Sequence, residues 1–180
     1  MTRTLLSLAT VMLSTVSFSQ ARSVDGRTLV FQDARATLSN IEATAASVAR
    51  QADELSQPGA TTKIGWQVQA MSLNRMRDDL NDIGRHLRAL EAEQGTLATW
   101  EQRALVETAP ILNDAADHLA AAIHQLNENQ LAPWHSDISS LTAQVERDSQ
   151  KAERTLHAFL KLDKTRRVEE RTQHELNSGL

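Results

Sequence analysis

The sequence predicts an all-α fold, an up-down-up-down four-helix bundle, on three observations. Apolar residues recur at alternating three- and four-residue steps through four successive segments, the spacing of helices that each bury one stripe. The segments are similar in length and separated by turns of a few residues, which suits antiparallel neighbours. Tyrosine is absent and only three Phe and three Trp occur in 180 residues, a composition that disfavours β-structure. This length is enough for one domain with a substantial core.

The chain opens as an export signal. Arg3 supplies a positive start, Leu5 to Phe18 form an apolar run, and Ser19-Gln20-Ala21 offers the small residues a signal peptidase reads. Cleavage is expected after Ala21, giving a periplasmic or secreted protein, with an uncleaved N-terminal anchor as the alternative. The run is too short and hydroxyl-rich for a membrane span, and no later segment of the mature chain is apolar enough for one. Cysteine is absent, which excludes a lipid-anchored cysteine, disulfides, thiolate metal sites, thioether-linked haem and cysteine nucleophiles. The domain plan is a signal peptide over 1–21, the bundle over 22–162 and a charged, fraying tail over 163–180.

The first helix is expected from Gly26 or Thr28 to Ser56, with Phe31, Ala34, Leu38, Ile41, Ala45, Val48, Ala52 and Leu55 as its stripe. Many of these are small or β-branched, so a neighbour can approach closely; Gln57-Pro58-Gly59 ends the helix. The second helix opens at Thr61-Thr62 and buries Trp66, Gln69, Leu73, Met76, Leu80, Ile83, Leu87 and Leu90. It stops at Gly95, expected in the left-handed conformation, while Gln69 is a seam amide that fixes register.

Thr96 is the expected cap of the third helix, which continues to Asn127 along Leu105, Thr108, Leu112, Ala115, Leu119, Ala122 and Leu126. Glu101 lies in its first turns, where a carboxylate favours the helix dipole. Pro110 removes one backbone donor and predicts a kink over Val106 to Ala109, in one bent helix because the seam keeps its phase. The fourth helix starts at Pro133 or Ser136 and uses Trp134, Ile138, Leu141, Val145, Ala152, Leu156 and Phe159. Asp148 falls in the slot between Val145 and Ala152, predicting a wetter layer. Beyond Leu162 the stripe gives way to charged residues that stay helical only through side-chain ion pairs.

This topology gathers Trp66, the polar turn Asn127, Glu128, Asn129 and Gln130, and Trp134 at one end of the bundle, with Trp100 at the other. Two indoles beside a polar turn make a candidate interaction surface; the competing reading is that they close the end of the core.

Chemical motifs are lacking. The six histidines form no i, i+4 pair and no Glu-x-x-His, so a di-iron site is not expected and no metal is assigned. His118 follows Asp114 by four residues, a surface hydrogen bond, and His124 and His135 lie near one end. Haem would need Met71 or Met76 opposed by His118 or His157, but Met76 belongs to the apolar stripe and the Ala-rich first helix implies tight packing. No nucleophile elbow, phosphate-binding loop or zinc-protease motif occurs, and Asp78, Asp79 and Asp82 alternate with arginines as on a solvated face. After loss of Arg3 the mature chain has 18 cations against 23 anions, without a basic stripe, so nucleic acid is not an expected partner.

Trp66 with Asn74, Met76 and Leu80, then Trp100-Glu101-Gln102 with Ala104, Pro110-Ile111-Leu112, and the run from Ile123 to Gln130 resemble exported helical proteins of environmental bacteria that carry no assigned activity. The resemblance covers about residues 60–135 and implies a secreted helical bundle, with no catalytic residues to transfer. The expectation is a non-enzymatic, cofactor-free bundle that binds a protein or envelope component, as a monomer or weak homodimer. A small-ligand sensor or carrier is the alternative, and a haem or metal carrier ranks below it.

Overall fold

The computed structural model describes residues 34–57, 65–129 and 137–178. They form four helices: α1 (Ala34–Ser56), α2 (Trp66–Ala92), α3 (Thr99–Glu128) and α4 (Ile138–Ser178), with no strand among the described residues. Contacts link α1 to α2, α2 to α3, α3 to α4 and α4 back to α1, a closed ring compatible with a four-helix bundle. No described helix is long and apolar enough to cross a membrane.

The ring closes because each stripe finds the others. Leu38, Ile41, Ala45, Val48, Ala52 and Leu55 of α1 share one core cluster with Leu73, Met76, Leu80, Ile83, Leu87 and Leu90 of α2. Leu105, Leu112, Ala115, Leu119, Ala122 and Leu126 of α3 and Ile138, Val145, Ala152 and Leu156 of α4 complete it. Each fully buried leucine or isoleucine contributes about 1.5–3 kcal/mol relative to exposure, so the stripes outweigh the weak propensity of any helix alone. Packing is most extensive where α4 meets α1 and α3. Small seam residues explain this: α1 offers Ala45, Ala49 and Ala52, and α4 offers Ser149 and Ala152, all buried.

Cross-helix contacts give the direction of two edges. Arg35 pairs with Asp163, Glu42 with His157, and Ser56 with Glu146, so α1 and α4 are antiparallel. His118 meets Asp148, while Glu107 lines one groove with Thr155, Phe159 and Leu162, so α3 is antiparallel to α4 as well. Gln51 donates to Asp79 at 2.9 Å between α1 and α2.

Several local expectations need correction. Trp66 does not join the seam, which starts at Gln69; as the first helical residue it lies before the stripe is enclosed and stays 38% exposed. The cap foreseen at Thr61-Thr62 lies outside the described residues, and the described helix starts after Gly65. Gly95 is not left-handed: α2 ends at Ala92, and a turn follows in which the Thr96 N–H and hydroxyl both donate to the Glu93 carbonyl at 2.8 Å. Thr96 is thus engaged backwards, and Ala98 takes the N-cap position of α3. Alanine has no acceptor to offer the helix. Glu101 supplies the return half of a capping box instead, accepting the Ala98 N–H at 2.8 Å. Gln102 ties the turn down by donating to the Gln94 and Leu97 carbonyls, each at 3.0 Å, and Leu97 drops into the core.

Pro110 lies within the single helix Thr99–Glu128. On α4 the seam runs Ile138, Thr142, Val145, Ser149, Ala152, Leu156 and Asp163, with Leu141 and Phe159 at its margin. Asp148 is therefore not the seam residue. Ser149 fills that slot, and Asp148 sits one position aside, where it reaches His118. Thr142 satisfies its buried hydroxyl on the Ile138 carbonyl at 2.9 Å. Asp163, the first residue of the expected tail, is buried, and the helix continues to Ser178 with residues 164–178 all exposed.

Candidate functional site

The residues singled out at one bundle end divide sharply. Trp66 opens α2, and Asn127 and Glu128 close α3, all three exposed. Asn129 is half-buried as the C-cap: its side-chain amide donates to the Gln125 carbonyl at 2.9 Å, which completes the helix end. Glu128 pairs with His124 one turn earlier at 3.2 Å. Gln130, Trp134 and His135 lie outside the described residues. Trp100 belongs to the opposite end of α3, packed against the core.

Two further apolar residues near the start of α2, outside its buried stripe, are exposed. Val68 is 48% and Met71 66% exposed, three residues apart on the side of α2 turned from Gln69, Leu73 and Met76. Their signal in the sequence is a short second apolar spacing, easily lost beside the longer one. The first two turns of α2 thus present an indole, an isopropyl group and a thioether to solvent. Val68 and Met71 face away from the stripe, while Trp66 lies nearer its margin on another side of the helix.

Three of the histidines, His118, His124 and His157, form links between or along helices. His118 Nδ1 lies 2.9 Å from Asp148 Oδ2 on α4, and does not turn to Asp114 on its own helix. His157 Nδ1 lies 2.8 Å from Glu42 on α1. Each imidazole thus ties α4 to a neighbour. Met76 is fully buried in the core, whereas Met71 faces solvent, so the two methionines do not share an environment. Among the described residues no three His, Cys, Asp or Glu side chains gather as a metal-binding group.

Two grooves differ in character. Between α1 and α4, Arg50, Asp53, Glu146, Glu153 and Arg154 line a charged one over Ala46 and Ala49. Between α2 and α3, Leu80, Leu119, Ala116, Ala120 and Ile123 line a mostly apolar one of about 320 Å³, with Arg77 and Asn81 at its margin. No protein-family model, curated protein or solved structure matches the chain.

Proposed function

We propose that the chain is an exported, non-enzymatic helical bundle that binds another protein or an envelope component through the Trp66 end. The observation that carries this reading is that Trp66, Val68 and Met71, all within the first two turns of α2, are each exposed. An exposed indole is the kind of anchor that supplies much of an interface's energy. The rest of the reading comes from the sequence: a signal peptide cleaved after Ala21, a periplasmic or secreted location, and a resemblance to exported helical proteins of environmental bacteria. An up-down-up-down order and a bend in α3 near Val106 to Ala109 belong to the same reading, the bend because Pro110 cannot donate to the preceding turn.

The test is a photo-crosslinking residue at Val68 or Met71 in the mature protein, exposed to the native envelope fraction. A defined envelope species should be recovered, and Trp66→Ala should abolish its capture while leaving the melting temperature unchanged. Absence of any defined species, or capture indifferent to Trp66, refutes the reading.

The apolar groove between α2 and α3 favours a second reading, a small-ligand sensor or carrier. An apolar ligand panel that raises the melting temperature in wild type but not in Ala120→Trp would support it. No shift with any member would count against it.

A further inference from the structure

The C-terminal third of α4 carries a second stripe, on the side turned away from the bundle core. Leu162, Thr165, Val168, Thr172 and Leu176 recur at steps of three and four, and all five are exposed. They lie opposite the buried series Val145, Ser149, Ala152, Leu156 and Asp163. Leu162 and Leu176 are both 67% exposed and Val168 57%, large values for apolar residues in regular helical spacing. None of the five is charged, while Lys161, Lys164, Arg166, Arg167, Glu169, Glu170, Arg171 and Glu175 surround them.

In residue type the stripe reads the same in both directions, Leu, Thr, Val, Thr, Leu, with steps of three before Val168 and of four after it. The charges are arranged in the complementary way. The half before Val168 holds Lys161, Lys164, Arg166 and Arg167, and its one carboxylate, Asp163, is buried against Arg35, Arg166 and Arg167. The half after Val168 holds Glu169, Glu170 and Glu175, with Arg171 as the one exception.

A helix with these two properties is complementary to itself when reversed. We propose that this segment pairs antiparallel with the same segment of a second copy of the chain, about a two-fold axis at Val168. Val168 then meets Val168, Thr165 of one copy lies about 1.5 Å along the axis from the level of Thr172 of the other, and Leu162 about 3 Å from the level of Leu176, offsets that side chains span. The cationic half of each helix runs along the anionic half of its partner, bringing Lys161 level with Glu175 and Arg166 with Glu170. A parallel pairing would set cations on cations and carboxylates on carboxylates, which selects the antiparallel arrangement. Such a two-fold contact is isologous and closes at the dimer, leaving no stripe to propagate a filament. With two threonines among five seam positions the contact is weak, so the dimer dissociates on dilution. This surface is separate from the Trp66 end, and neither reading depends on the other.

The chain has no cysteine, so orientation can be read directly by disulfide trapping. In the mature full-length chain, Leu162→Cys mixed with Leu176→Cys under mild oxidation should give the mixed cross-linked dimer well above the level of either variant alone. Sedimentation of the wild type should show a dimer that falls apart on dilution. Val168→Glu, which opposes two carboxylates at the axis, should sediment as monomer with an unchanged far-ultraviolet helix signal. A wild type that stays monomeric at its solubility limit overturns the proposal. So does a Leu162→Cys variant that cross-links to itself as efficiently as to Leu176→Cys, or a dimer indifferent to Val168→Glu.

Discussion

Asp163 is the place where charge, burial and helix pairing meet, and its removal has a distinctive signature. Its side chain is 0% exposed, with Arg167 Nε at 2.9 Å, Arg35 Nε at 3.5 Å and Arg166 at 3.7 Å. Arg166 and Arg167 belong to α4 itself; Arg35 reaches across from the start of α1. A pair at such distances is worth about 4 kcal/mol before desolvation at the effective dielectric of a protein surface. The guanidinium side chains are 33–58% exposed, so water screens much of that. Asp163→Asn keeps the shape and lets the arginines turn to solvent, and it should cost about 1–2 kcal/mol. Arg167→Ala is worse, because it leaves a buried carboxylate with only its two longer contacts. Loss of a partner from a fully buried pair costs about 3–5 kcal/mol, and the remaining arginines reduce this to about 2–3. In the double variant the stranded charge is gone, so the cost should return to about that of Asp163→Asn, a coupling of about 2–3 kcal/mol. Urea unfolding of the mature chain, followed by far-ultraviolet circular dichroism, measures all four corners of the cycle. Asp163→Asn costing more than Arg167→Ala, or both changes falling within about 0.5 kcal/mol of wild type, would refute the reasoning.

Other substitutions test the core and its polar members by the same unfolding measurement. Leu119→Ala should lose about 2–5 kcal/mol because the side chain is almost wholly enclosed, whereas exposed Val106→Ala should stay within about 0.5 kcal/mol. The hydroxyls of Thr108 and Ser149 are buried without a hydrogen-bond partner among the described residues. Thr108→Val and Ser149→Ala should therefore each stabilise by about 1 kcal/mol, and destabilisation by either would mean that the hydroxyl is satisfied. A Cβ added at Gly84 would meet only the tip of the Arg88 side chain, at 3.6 Å, an ordinary contact. Gly84→Ala should raise stability by about 0.5–1 kcal/mol, and a loss would show that the backbone there is held for another reason.

Helix identity was legible wherever apolar spacing was long and uninterrupted. The α3 seam from Leu105 to Leu126 and the α2 seam from Gln69 to Leu90 are buried residue for residue as their periodicity predicts. Legibility failed at helix ends and at polar seam positions. Thr96 is a good cap by residue type, yet its hydroxyl turns back to Glu93, and Glu101 serves Ala98 instead. Ser149 and Thr142 are buried because the helical repeat carries them inward, but a search for apolar letters selects Leu141 and looks for the missing member at Asp148. At the candidate surface, Trp66 was visible as a large residue near a helix start. Its exposure, and the company of Val68 and Met71, depend on where α2 begins and which side its neighbours cover.

By itself the sequence determined that this chain forms long helices and which narrow edge of each is buried, because a 3.6-residue repeat is written into the order of side chains. Only the tertiary structure decided which edges meet, that Asp148 finds His118, that Glu42 finds His157, and that Asp163 is enclosed beside Arg35. Those pairings join residues far apart in the chain. No local rule of spacing encodes a contact made only after four helices have closed on one another.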